Sequence, residues 1–330
     1  MPTPLLPGVY APTQVFYADN SDDRLDHATI AKHAVRLARA GVAGIVTNGS
    51  NGEAVYLTRE ERFQVDRDDP PRLSTARGLL TCRSSLEPPN NLSRGTVQLC
   101  KDAARAGADA ALVMVPSFFK WAMSEWTIEK HFVSVADESP IPIIIYNYPG
   151  AVAGIDLDSD QLIQLAKHPN IIGTKFTCGN VGKLARVAEA TSPVSEVFDT
   201  LVPSPYFAFA GIADFISPSV EVGASGAIVG AANVFPRACV NVYNLAVSGK
   251  RVEAMKAQQQ LARADWELTK RAIPGFKAIL SRWNGYGGIP RGPMSPLTEE
   301  QEQHLFQAVG WMMNVEEALE DFGKAKGTMS

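Results

Sequence analysis

Lys175 sits near the end of an apolar, β-branched run, Ile171-Ile172-Gly173-Thr174-Lys175-Phe176, and is the strongest chemical signal in the chain. A lysine inside a buried strand either pairs with a carboxylate or gives up its proton, because desolvation of an ammonium can lower its pKa by up to ~3–5 units. The neutral amine is then a nucleophile of the kind that forms a Schiff base with a ketone. A second reading fits the same spacing: a lysine pointing outward between strand and helix, or snorkelling at the strand end. Tyr146 closes the run before it, Pro142-Ile143-Ile144-Ile145-Tyr146-Asn147, in the same way. Adjacent strands would set its phenol beside Lys175, where a group with a pKa near ~10 can pass a proton to and from a substrate hydroxyl. A core tyrosine with a satisfied hydroxyl fits that pattern too.

Gly49-Ser50-Asn51-Gly52-Glu53 has the small and polar residues of an anion-holding turn but not the lysine of a phosphate-binding loop. Its two glycines permit a tight turn with converging amides from Gly49 onward, and Ser50 and Asn51 add side-chain donors, so the turn suits a carboxylate. Any strand-to-helix turn can contain the same residue types. Cys178, three residues past Lys175, reads as a small hydrophobe or as a residue at a site mouth. Phe118-Phe119 and Trp121 either line a pocket or pack between subunits.

The elements that must position these residues alternate regularly. Short apolar runs fall at residues 8–13, 44–47, 110–115, 141–147, 171–176, 206–210 and 227–230, with amphipathic stretches such as 26–40, 96–106, 124–138 and 159–168 between them. Strands of continuous apolar character separated by helices imply a parallel sheet buried on both faces. Seven such runs, with room for an eighth between Val65 and Thr96, predict an α/β chain folded as a (β/α)8 TIM barrel with a C-terminal helical extension. Such barrels keep their sites at the C-terminal ends of the strands, where Lys175 and Tyr146 lie. The expected division is a barrel over residues 1–235 and a helical region over 236–330. Thr298-Glu299-Glu300-Gln301 opens the last helix as a capping box, through Met312.

Residues 66–94 break the pattern. Thr58-Arg59-Glu60-Glu61 starts a helix that Pro70-Pro71 stops after some three turns, and a stretch rich in Pro, Arg and Ser follows. Only Gly78-Leu79-Leu80-Thr81-Cys82 could serve as a third strand there. The segment is expected to be irregular or poorly ordered, leaving the barrel short of a strand.

The 330 residues are 45% hydrophobic and 20% charged, enough for a real core, which excludes disorder as the general state. Thirty-one basic and 35 acidic residues, a net charge of −4 without blocks of one sign, give no footprint for nucleic acid or an anionic membrane. No apolar run approaches the ~20 residues of a membrane span, and the Met-Pro-Thr-Pro start has neither a signal-peptide nor a transit-peptide pattern, so a cytoplasmic protein is expected. Cys82, Cys100, Cys178 and Cys239 are far apart and read as reduced thiols. His27, His33, His131, His168 and His304 lack metal-site spacing and read as surface or capping residues, so no metal is expected.

Taken jointly, Gly49-Ser50-Asn51-Gly52-Glu53, Leu57-Thr58 with Glu61-Arg62, Gly107-Ala108-Asp109-Ala110, Tyr146-Asn147-Tyr148-Pro149, Gly173-Thr174-Lys175 and Ala232-Asn233-Val234-Phe235-Pro236 resemble the dihydrodipicolinate synthase / N-acetylneuraminate lyase family of pyruvate-dependent class I aldolases. The resemblance covers nearly the whole chain outside residues 66–94. It implies a (β/α)8 barrel with a C-terminal helical region, usually in a homotetramer, acting on a small 2-oxo acid without metal or dissociable cofactor. It also implies that Lys175 forms the Schiff base, that Tyr146 relays protons, and that Ser50 and Asn51, with Gly49, hold the pyruvyl carboxylate. Two departures argue against the biosynthetic condensation. Gly150 and Ala151 follow Pro149 where an arginine for the second substrate is expected, and the Phe118-Phe119 pair stands where a neighbouring subunit lends a tyrosine. The Ser-Asn turn and Gly285-Tyr286-Gly287-Gly288 before Pro290-Arg291 look more like the family's cleaving aldolases, which act on 2-oxo acids carrying a 4-hydroxyl. A 3-deoxy-hexulosonate sugar acid is preferred over 4-hydroxy-2-oxoglutarate, since Ala151 offers no cation for a second carboxylate. A member that binds a keto acid without catalysis is the contrasting expectation.

Overall fold

A computed structural model describes residues 5–18, 24–68, 77–82, 92–191, 194–195, 200–201 and 206–320. Their order is β1 (Gly8–Pro12), α1 (His27–Arg39), β2 (Gly44–Thr47), α2 (Arg59–Asp68), β3 (Arg77–Cys82), α3 (Leu92–Ala106), β4 (Ala110–Met114), α4 (Glu125–Glu138), β5 (Ile143–Asn147), α5 (Ser159–Leu165), β6 (Ile171–Phe176), α6 (Val181–Thr191), β7 (Val194–Ser195), β8 (Thr200–Leu201), β9 (Phe207–Ala210), α7 (Ile216–Glu221), β10 (Gly226–Ile228), α8 (Pro236–Val247), α9 (Arg251–Asn284) and α10 (Glu299–Ala318). Eight strands close a parallel barrel in the order β1-β10-β9-β6-β5-β4-β3-β2, while β7 and β8 form a separate two-stranded ladder. The barrel strands are apolar without alternation because the core lies on one side and the helices on the other. All five residues of β4 and of β5 are buried.

The seam of the barrel depends on a missing side chain. Gly8 of β1 faces Gly226 of β10, and a Cβ on Gly226 would stand 2.0 Å from the Gly8 carbonyl oxygen. Inside, the Phe207 and Phe209 rings stack at 5.6 Å, and Tyr10 meets Phe209 edge-on at 5.3 Å. The Tyr10 hydroxyl turns back to donate to the Leu6 carbonyl at 2.8 Å, below the start of β1.

The barrel is not short of a strand. β3 pairs with β2 through Gly44↔Arg77 to Thr47↔Leu80 and with β4 through Leu79↔Ala110 to Cys82↔Val113. Hydrophobic content in Gly78-Leu79-Leu80-Thr81-Cys82 is sufficient for a parallel strand once two neighbours are in place, because pairing is supplied by those neighbours. Helix α2 starts on the expected capping box, with the Thr58 N–H donating to Glu61 Oε2 at 2.8 Å and the Glu61 N–H to Thr58 Oγ1 at 3.2 Å. It ends at Asp68, ahead of Pro70-Pro71. Asp66 is a working part of it, since Oδ1 accepts from Thr47 Oγ1 at 2.8 Å and from Asn48 Nδ2. The expectation of irregularity therefore fails at 66–68, 77–82 and 92–94. Its remainder, 69–76 and 83–91, lies outside the described residues.

Two histidines are buried instead of at the surface. His33 is held between Asn233 and Tyr286, and His131 meets Ser93 Oγ at 3.0 Å. Burial pushes the His33 imidazole down to about 3 and that of His131 to about 4. Both fall on the inward stripe of an amphipathic helix, where the tertiary fold supplied polar partners that helical spacing does not reveal. Cys100, Cys178 and Cys239 are free thiols.

After β10 the chain is helical. Helix α8 packs on α7 and β1, and α9 packs on α8, α10 and the turn after β9. Helix α9 kinks at Ala272 (φ 49°, ψ −141°), two residues before Pro274, whose ring cannot continue the preceding hydrogen-bond ladder. The kink sends 274–284 in a new direction. Helix α10 opens on the Thr298/Gln301 capping box and runs to Ala318, six residues past the expected end at Met312. It locks onto α8 through Glu316, whose buried carboxylate accepts the N–H groups of Arg237 at 2.9 Å and Ala238 at 2.8 Å. These are donors of the first turn of α8, which has no side-chain cap of its own. Glu316→Ala is expected to lower stability by ~2–3 kcal/mol, the scale of leaving two buried donors unmet, read as a fall in the urea midpoint at unchanged slope.

Candidate active site

A parallel register places side chains of paired residues on the same face of a sheet. Met114, Tyr146, Lys175 and Phe209, on β4, β5, β6 and β9, occupy one such rung. Lys175 and Tyr146 are each only 4% exposed, and the Lys175 Nζ stands 4.2 Å from the centre of the Tyr146 ring. The lysine therefore faces inward, which excludes the outward and snorkelling readings. No carboxylate forms an ion pair with it among the described residues, and burial pushes its ammonium down to about 7. An amine that is half unprotonated near neutral pH, at the end of its strand and bedded on a phenol ring, is poised to add to a carbonyl. Tyr146 also stacks on Tyr148, with ring centres 5.7 Å apart.

The turn after β2 lies at the same end of the barrel and is fixed from several sides. Two non-glycine residues with left-handed backbone bracket it, Asn48 (φ 53°) and Glu53 (φ 50°). The Glu53 N–H bonds the Ser50 carbonyl at 3.2 Å, and the Ala54 N–H bonds that of Gly49 at 3.3 Å. Ser50 Oγ is buried without a hydrogen-bond partner among the described residues, so its hydroxyl is available to a ligand. Asn51 accepts from Gln14 Nε2 at 3.3 Å. It lies against Gly230 after β10, where a Cβ would come within 3.3 Å of both its amide atoms.

Behind the turn is a polar scaffold that sequence reasoning missed. Asn233 Nδ2 donates to the carbonyls of Pro12 at 2.8 Å and Gly230 at 2.9 Å, so its Oδ1 is the acceptor. That oxygen takes the Gln14 N–H at 3.1 Å and His33 Nε2 at 2.9 Å. His33 therefore carries its proton on Nε2, and its Nδ1 accepts from the Tyr286 hydroxyl at 3.0 Å, which in turn accepts from Arg36 Nε at 2.9 Å. Asn233 and Tyr286 belong to the motifs that carry the family resemblance, but their role becomes visible only when α1 and the Gly285–Gly288 stretch are brought together. Lys277 was missed because it has the spacing of an ordinary helical lysine, and Arg291, quoted from the sequence only as the end of the Gly285–Arg291 pattern, was given no role there.

The structure does not gather every residue singled out from the sequence. Phe118, Phe119 and Trp121, in the connection after β4, are 70%, 56% and 86% exposed and touch one another edge-on. Cys178 is half-buried and packs against the core. No helix among the described residues is long and apolar enough to cross a membrane.

Fold and site together define a closed (β/α)8 barrel with a buried, deprotonatable lysine at the C-terminal end of β6 and, at the same end, a Gly-Ser-Asn turn after β2 whose Ser50 hydroxyl has no hydrogen-bond partner among the described residues. The chain belongs to the dihydrodipicolinate synthetase family, whose pattern matches residues 11–310. It is 48% identical over 332 residues to an L-threo-3-deoxy-hexylosonate aldolase of Aspergillus niger, covering 97% of this chain and 98% of that one. Similarity to the Emericella nidulans protein named "Probable 4-hydroxy-2-oxoglutarate aldolase, mitochondrial" is 43% over 317 residues, with 96% and 98% of the two chains covered. Among solved structures, a dihydrodipicolinate synthase family protein of Coccidioides immitis superposes with a TM-score of 0.81 at 30% identity, over 97% of this chain and 100% of that one. YagE, a prophage protein of E. coli K12 solved in complex with pyruvate, superposes with a TM-score of 0.80 at 26% identity, over 93% and 99%.

Proposed function

We propose that this chain is a Schiff-base aldolase that cleaves a 3-deoxy-2-oxo acid with a 4-hydroxyl to pyruvate and an aldehyde, with L-threo-3-deoxy-hexulosonate as the preferred substrate. The observation that carries this reading is the buried Lys175 amine, held near neutrality against the Tyr146 ring. The similarity to the named Aspergillus and Hypocrea aldolases, each at 48% identity, supports the substrate.

The amine of Lys175 adds to the C2 ketone, and loss of water leaves a protonated imine. Tyr146, left as a phenolate after giving its proton to the departing water, then takes the proton of the C4 hydroxyl, aided by Ser50. The O–H pair becomes the aldehyde carbonyl, the C3–C4 bond breaks, and its electrons pass into the imine as an enamine. A proton returned to C3 gives the pyruvyl imine, which water hydrolyses to pyruvate and free Lys175. The turn of Gly49, Ser50 and Asn51 holds the C1 carboxylate throughout. The division of labour follows the expected domains: residues 1–235 carry the reacting groups and 236–330 brace them. A homo-oligomer, with the exposed Phe118-Phe119-Trp121 cluster as a contact between copies, and a cytoplasmic location complete the proposal. The mitochondrial name of the Emericella relative marks the competing compartment.

Borohydride in the presence of pyruvate is expected to add a reduced pyruvyl group to Lys175, located by peptide mass spectrometry. The trapping rate should rise with pH through about 7, as the ammonium gives way to the nucleophilic amine. No adduct, or one on another lysine, removes the aldolase reading and leaves keto-acid binding alone. One observation favours 4-hydroxy-2-oxoglutarate as a second substrate: the exposed Lys120 Nζ lies 3.4 Å from where a Cβ on Gly154 would stand, putting a cation beside the loop after β5. The ratio of kcat/KM for the two acids decides between them.

A further inference from the structure

Helix α9 and the segment after it reach into the barrel at one point. Lys277, from beyond the kink, forms an ion pair with Glu53 at 2.5 Å in which neither side chain has any exposure. The same ammonium donates to the Ile289 carbonyl at 3.0 Å. The second carboxylate oxygen of Glu53 accepts the Arg291 N–H at 2.7 Å. The Arg291 guanidinium bonds the Tyr56 carbonyl at 3.0 Å and both oxygens of Glu61, at 3.0 and 2.7 Å. Tyr17 lies between the two cations, 4.5 Å from each.

We infer that Glu53, Lys277 and Arg291 are positioning residues through which the C-terminal region presets the turn that holds the substrate carboxylate, a role that rests on the Schiff-base reading above. Left-handed backbone at a non-glycine residue persists only where its surroundings over-determine it. At the near end of the turn Asn48 is held by Asp66 and the Arg62 carbonyl, both of α2. At the far end Glu53 is held from more than 220 positions away in the chain, by Lys277 and Arg291. Because the Glu53 N–H bonds the Ser50 carbonyl, a shift of Glu53 moves the residue that offers its hydroxyl to the ligand. Stability alone gives little reason for the pair, since a buried ion pair gains little over apolar side chains of the same shape. What it supplies is direction: each carboxylate oxygen has one fixed partner, and both partners come from outside the barrel.

The test is borohydride trapping of pyruvate as a function of pyruvate concentration and pH, in the wild type, Lys277→Met, the charge-neutral Glu53→Gln/Lys277→Met pair, and Glu316→Ala as a destabilised control outside the turn and outside the Glu53–Lys277–Arg291 cluster. Lys277→Met is expected to raise the half-saturating pyruvate concentration by ~10–100-fold, the scale of a misplaced binding group. The limiting trapping rate and its pH midpoint, which report Lys175, should stay within about twofold. The double variant should regain thermal stability but not pyruvate affinity, and Glu316→Ala should lose stability with affinity intact. If Lys277→Met does not fold, the double variant decides. Unchanged half-saturation, recovery of affinity together with stability, or an equal loss in Glu316→Ala overturns the inference. A wild type that takes no label at Lys175 removes the aldolase reading and this inference with it, a result distinct from a labelled wild type whose variants do not respond.

Discussion

Lys175→Met should abolish aldol cleavage, with a loss on the order of 10⁵–10⁶-fold, while leaving the fold intact and more stable at neutral pH. The catalytic loss follows from removing the amine proposed to make the imine, and loss of a covalent nucleophile elsewhere has effects of about this size. The gain in stability follows from linkage. Burial lowers the folded-state pKa of Lys175 from 10.5 to about 7. Between those values the unfolded chain binds a proton that the folded chain does not, so stability rises with pH through that window. Below about 7 the folded state carries the full cost of a buried ammonium; above about 10 that cost is relieved. Methionine has a similar length and no charge, so the Tm advantage of the variant should be largest near pH 7 and shrink toward pH 10. Thermal melts of both proteins across that range check the sign. A variant less stable than wild type at pH 7 would mean that the amine is paired and not merely desolvated.

Tyr146→Phe is expected to reduce cleavage by ~10²–10⁴-fold, the range of a lost acid–base group, with kcat and kcat/KM falling together. The ring remains beneath Lys175, so the environment that keeps the amine near neutrality is retained. Borohydride trapping of pyruvate should therefore suffer less than cleavage, because imine formation has other routes for its protons and breaking the C3–C4 bond does not. Near-normal cleavage would take Tyr146 out of the mechanism and leave it as a floor for the amine.

Lys175 and Tyr146 were legible because each stands next to last in an unbroken apolar run, and a parallel register fixes the rest: residues at the same distance from the ends of adjacent strands meet on one face. The direction in which they face was not legible, because unbroken runs carry no alternation from which to read inside and outside. The rung through Phe209 settled it. Residues 77–82 show the opposite failure. Their composition and proline-rich flanks argued against a strand, yet β2 and β4 supply pairing partners on both sides, and pairing across a sheet is a non-local property.

Local pattern was enough for the alternation of strands and helices, the capping boxes at Thr58 and Thr298, and the lysine and tyrosine proposed to perform the chemistry, because periodicity, caps and a lysine within an apolar run each depend on neighbours in the chain. The support of the turn from Gly49 to Glu53 did not follow from it. Glu53 reads as the end of a turn, Lys277 as one more helical lysine and Arg291 as a loop cation. Closing the barrel and kinking α9 bring Lys277 and Arg291 within 2.5 and 2.7 Å of the two oxygens of the Glu53 carboxylate. Charge partners so distant in sequence carry no mark of each other, and burial, which makes their pairing obligatory, exists only once the chain has folded.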